Sequence, residues 1–169
     1  MVKRHFDRRA VMAGMGAMTL LPNAATADDV IDLEWGDLLP KNELVVPNIL
    51  QGFIDHEGAP LASQQPQSSG VRSEWNGKII RLPGFIVPVD YDGAAVTAFI
   101  LVPYVGACVH VPPPPANQLV FVTTPTPFES KGLYQAVNVT GMFGVSAIST
   151  QLADVGYALS AEEIVPYRA

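Results

Sequence analysis

The sequence predicts a mainly β domain, a small barrel with only short helical pieces. Three observations carry this. From Trp75 onward, short runs of β-branched and aromatic residues alternate with turn signals. Glycine and proline are frequent, with 14 and 15 residues, and break each run before it grows long. No segment after residue 27 has the apolar spacing of a long amphipathic helix.

The elements follow in order. Asn76-Gly77 is a turn signal. Lys78 to Val89 reads as a strand through Ile80, Leu82, Phe85 and Val87, with Pro83-Gly84 predicting a bulge or bend inside it. Asp90-Tyr91-Asp92-Gly93 reads as a turn. Val96 to Val102 is almost wholly apolar, as in a strand buried on both faces, and Pro103 ends it. Leu119 to Thr124 is the next strand, closed by Pro125 and Pro127. Gln135 to Met142 follows. Ser149 or Thr150 is placed to cap a short helix reaching Asp154. Gly156 opens a last extended segment ending near Tyr167. Five or so short strands favour an OB-like (oligonucleotide/oligosaccharide-binding-like) Greek-key barrel over a β-sandwich.

Upstream of this core, residues 28–74 form a lead-in. Glu34 to Pro40 has a helical-turn pattern that sets Trp35 and Leu38 on one face for packing onto the domain. Residues 56–70 are polar and Pro/Gly-marked, as in a mobile loop. Residues 28–169 are expected to form one domain, with the barrel at 75–169.

Residues 1–27 read as an export signal. Lys3, Arg4, Arg8 and Arg9 precede an uncharged, mostly apolar stretch from Ala10 to Leu21. Ala25-Thr26-Ala27 then offers a small-x-small cleavage site. The apolar stretch is shorter than the ~20 residues that span a bilayer. Arg8-Arg9 partly matches a twin-arginine signal. The expected location is the periplasm, without membrane insertion of the mature chain. Cleavage would remove four basic residues and Asp7, moving the formal net charge from −6 to about −9. Such an acidic chain does not suit nucleic acid.

The chemistry concentrates at Cys108-Val109-His110-Val111, followed by Pro112, Pro113, Pro114 and Pro115 and then Ala116-Asn117-Gln118. Cys108 is the only cysteine, so no internal disulfide exists. Thiolate and imidazole are preferred ligands of zinc, and a low-coordinate thiolate suits copper(I). At i and i+2 on an extended strand, the two side chains share a face. Third-ligand candidates are His56, Asp90 and Glu129; Asp92 and Met142 are weaker ones. The plain alternative is a buried, inert thiol. The prolines brace the ligands or meet a partner's aromatic groove. Asn117 and Gln118 read as structural residues of the loop. A thiol enzyme, with Cys108 as nucleophile and His110 as base, fits poorly, because such pairs usually come from distant parts of a sequence.

The segment from Leu101 to Gln118 resembles the signature of an exported bacterial family, domain of unknown function 3299. Trp35-Gly36-Asp37-Leu38-Leu39-Pro40, Leu82 to Pro88, Val137 to Gly141 and Gly156-Tyr157 agree with it. The resemblance implies an accessory of metal uptake or ABC transport, with zinc as the expected metal. Its partner would be a membrane transporter or a periplasmic metal-handling protein.

Overall fold

The computed structural model describes residues 29–41 and 64–168. Six strands form one sheet: β1 (Ile31–Asp32), β2 (Ile79–Asp92), β3 (Ala95–Val102), β4 (Val120–Phe128), β5 (Ala136–Ser149) and β6 (Asp154–Pro166). Their order is β1-β2-β3-β4-β6-β5, and β2 also pairs with β5. Strands β2 to β6 therefore close into a five-stranded barrel, with β1 added outside. The β4–β6 pair is parallel and the other barrel pairs are antiparallel. This is the small barrel that the residue pattern predicts.

Closure depends on the length of β2. Its first half, Ile79 to Phe85, pairs with β5. Its second half, Phe85 to Asp92, pairs with β3. Pro83-Gly84 sits just before this exchange of partners. Gly84 has no room for a side chain, because a Cβ would lie 2.7 Å from Leu101 Cγ. The irregularity in pairing falls later, between Pro88 and Tyr91. Asp90 to Asp92, expected in a turn, are the end of the strand.

Two further expectations are corrected. β4 runs past Pro125 and Pro127 to Phe128. Both prolines lie where the register with β3 slips between Ala98 and Val96, so no ladder bond there needs their missing N–H. Residues 149–154 form no helix. Thr150 Oγ1 instead accepts the N–H groups of Leu152 (3.1 Å) and Ala153 (3.0 Å), closing the β5–β6 hairpin.

β3 has a core on each side, as its apolar run predicts. Phe99 and Leu101 belong to the barrel interior with Ile80, Val122, Val139 and Tyr157. Ile100 and Val102 face outward into a second cluster with Val87, Ala107, Cys108, Leu119 and Val155. The 103–119 loop covers this outer face.

The lead-in is fastened to the barrel. Trp35–Leu38 form one 3-10 turn, with Leu38 fully buried. Trp35 Nε1 donates to Pro83 O at 2.7 Å. Residues 65–70 lack regular structure, yet they are pinned rather than loose. Gln65 bonds Pro114 O, Asp154 O and Asp154 N–H, each at 2.8 Å. Polar composition hid this, because glutamine can serve as both donor and acceptor for main chain.

Candidate functional site

The Cys–His segment is a tight turn, not a strand. Gly106 O accepts the N–H groups of Val109, His110 and Val111 at 3.4, 3.0 and 3.2 Å. Gly106 and Cys108 both have positive φ, +97° and +68°. That left-handed conformation is natural for glycine and strained for cysteine. The turn separates the two side chains: Cys108 is 3% exposed within the outer cluster, while His110 is exposed. The same-face pairing expected of an extended strand is therefore absent.

Two tyrosines complete the cluster, and sequence reasoning gave neither a role. Tyr134 comes from the β4–β5 loop. Its hydroxyl donates to Ala107 O at 2.8 Å, and its ring centre lies 6.2 Å from that of His110. Its own N–H bonds Ile86 O at 2.9 Å, which fixes the loop to β2. Tyr104 lies at the base of the Cys–His loop and packs on the same outer cluster. Tyr134 has a positive φ of 59° after Gly132, a local turn signal, but nothing nearby in sequence points to Cys108.

The electrostatics favour neutral groups. Burial pushes the Cys108 thiol up to about 12. Tyr104 is also pushed up to about 12, by burial first and then by the neighbouring Cys108 and Tyr134. Tyr134 rises to about 12 by burial and by Cys108, against a lowering contact from the Val109 backbone. The unfolded chain would give up these protons nearer 9 for the thiol and 10 for the phenols. Raising pH between about 9 and 12 therefore favours the unfolded state. Urea unfolding at a series of pH values should show stability falling from near pH 9, and Cys108→Ser should delay the onset toward pH 10. An unchanged onset in that variant would contradict the assignment. The native thiol should also resist iodoacetamide at pH 8 and react once urea unfolds the chain.

The remaining candidates are placed elsewhere. Asp90 pairs with Ala98, and Glu129 follows Phe128, which pairs with Val96. The Cys–His loop leaves β3 at Val102. At ~3.3 Å per residue, both carboxylates start roughly 13–20 Å along the sheet from that loop. Asp92 lies beyond Asp90, and Met142 is exposed on β5 rather than in the core. His56 lies outside the described residues. Among the described residues, no three of His, Cys, Asp and Glu come together to hold a metal.

Pro112, Pro113 and Pro114 are buried. Asn117 and Gln118 are buried too, and they fasten both lead-in segments. Asn117 Nδ2 donates to Gly70 O at 2.9 Å, and Gln118 Nε2 to Trp35 O at 3.0 Å.

A separate pocket of about 160 Å³ opens where β2, β3 and β5 meet the lead-in, lined by Trp35, Pro83, Gly84, Phe85, Pro103, Ala136 and Tyr167.

Comparison with known proteins agrees with this architecture. A search of curated proteins gives no match. The crystal structure of a DUF3299 family protein (PA4066) from Pseudomonas aeruginosa PAO1 is similar, with TM-score 0.70 and 36% identity. The match covers 83% of this chain and 97% of that one. The profile described as "Protein of unknown function (DUF3299)" matches residues 35–166, which take in the whole barrel, the Cys–His loop and the Trp35 turn. The chain belongs to the DUF3299 family.

Proposed function

We propose that the chain is a non-catalytic binding module of the bacterial periplasm, exported through residues 1–27. It engages a membrane transporter or another periplasmic protein through the adjoining 103–111 and 129–135 loops. One observation carries the reading: Val105 and Leu133 are 59% and 47% exposed on loops whose frame is otherwise tightly bonded. Large apolar side chains held out on rigid turns lose little entropy when a partner covers them. Exposed His110 lies on the same loop as Val105.

The test is site-specific photo-crosslinking from position 105 in the native envelope. A discrete adduct is expected, and it should disappear in a Leu133→Asp variant that unfolds at the wild-type temperature. An adduct insensitive to Leu133→Asp would move the contact off this surface.

A metal-handling role with zinc, or with copper(I), is the second reading. It is supported by the presence of a thiol, an imidazole and two phenols around one turn. Binding would have to release the Cys108 proton from a site that holds it strongly. Titration calorimetry decides between the two. Zinc or copper(I) binding lost in both Cys108→Ser and His110→Ala would favour the metal reading. Wild-type chain that takes up neither ion would leave the interaction surface alone.

A further inference from the structure

We infer that the pocket between the lead-in turn and the barrel wall binds a small organic cation, of the quaternary ammonium class. Three aromatic residues line it: Trp35, Phe85 and Tyr167. Pro83, Pro103, Gly84 and Ala136 complete the walls, so no charged side chain enters it. An aromatic ring attracts a cation through its quadrupole, and cages of such rings recognise quaternary ammonium ions.

The class of ligand follows from what the walls lack and what surrounds them. A primary ammonium or metal ion is strongly hydrated and would find no carboxylate to replace its water. A quaternary ammonium is weakly hydrated and needs only apolar and aromatic contact. Three acids, Asp32, Glu34 and Asp37, flank the lining residues in sequence, against two arginines, Arg81 and Arg168. Arg81 and Asp32 pair with each other at 3.1 Å, which leaves Glu34 and Asp37 against Arg168. The whole chain is acidic as well, with a formal net charge of −6. This balance draws cations and discourages anions. A volume of about 160 Å³ has room for a trimethylammonium head.

The walls are also fixed in advance. Trp35 Nε1 is bonded to Pro83 O at 2.7 Å, and Tyr167 N–H to Ala136 O at 3.0 Å. Gly84 is packed too closely on Leu101 to admit a side chain. A preformed pocket spends little binding energy on ordering its walls. The site is separate from the 105/133 surface, so it stands or falls independently of the function proposed above.

The experiment is titration calorimetry of the full mature chain with choline and with 3,3-dimethylbutan-1-ol, its neutral isostere of nearly the same shape. Choline is expected to bind about tenfold more tightly than the alcohol, the margin a desolvated cation–π contact supplies. Tyr167→Ala should lower choline affinity about fivefold or more, and Tyr167→Phe should retain it. Tyr167 is half exposed, so these variants should fold, which thermal unfolding will check. Equal affinity for the two compounds would overturn the proposal and leave a merely apolar pocket. So would the absence of saturable choline binding, or saturation by a proline-rich peptide alone.

Discussion

Gly141→Ala is expected to cost about 3 kcal/mol or more and to leave little folded protein at physiological temperature. A Cβ at this position would overlap the carbonyl oxygen of Ser160 and lie 2.9 Å from Ala161 Cα. Both obstacles are backbone of β6, and Gly141 pairs with Ala161 just after a register shift. Neither strand can retreat without opening the ladder that closes the barrel. Gly144→Ala is the control. Its Cβ would meet only the side-chain oxygen of Asn76, at 3.0 Å, so relief costs at most that oxygen's exposed hydrogen bond from Val145 N–H. Its cost should stay within about 1.5 kcal/mol, the net worth of one such bond. Urea unfolding of both variants checks the pair, and a Gly141→Ala midpoint equal to wild type would refute the close approach.

Tyr157→Phe should cost about 1–3 kcal/mol and loosen the lead-in more than the barrel. The Tyr157 ring is fully buried and stacks on Phe143 with 5.0 Å between centres. Its hydroxyl accepts the Arg72 N–H at 2.7 Å and donates to Leu38 O at 2.8 Å. One oxygen thus ties both described lead-in segments to β6. Phenylalanine keeps the ring packing and leaves a buried carbonyl and N–H without that partner. Amide exchange should quicken at Arg72 and its neighbours, while β2 and β5 stay protected. Uniform acceleration across the barrel would show instead that the hydroxyl supports the whole core.

Much of the barrel was legible because its physics is local. The unbroken apolar run at 96–102 announces a strand with a core on each side, and that is where the two clusters meet. Pro83-Gly84 lies just before the change of partners at Phe85, while the irregularity expected there falls between Pro88 and Tyr91. The hairpin at 150–153 was misread because a threonine that caps a helix can equally satisfy the N–H groups of a turn. The Cys–His loop was legible as special and not as shaped. Alternation placed Cys108 and His110 on one face, but two positive φ angles at Gly106 and Cys108 reverse the chain between them. Only glycine advertises such a φ in sequence; cysteine does not. Tyr134 is 26 positions beyond Cys108, and only the closed barrel brings its loop under the turn. The Trp35–Phe85–Tyr167 pocket draws on three distant segments for the same reason.

The position of β6 has a consequence for how the chain reaches its native state. Without its last strand the sheet is an open, antiparallel one, β4-β3-β2-β5, because β5 already pairs with β2. Both outer strands then present unsatisfied main chain, and β4 begins Val120-Phe121-Val122, a stretch prone to pair with other chains. Residues 154–166 satisfy both edges at once. Chains that lack residues 154–166, or have not yet placed them, should therefore be sticky, and folding should be slow for the size, since closure joins strands far apart in sequence. A partner that holds the chain open before closure would work against those two edges, not against the loop that draws the eye in the finished protein.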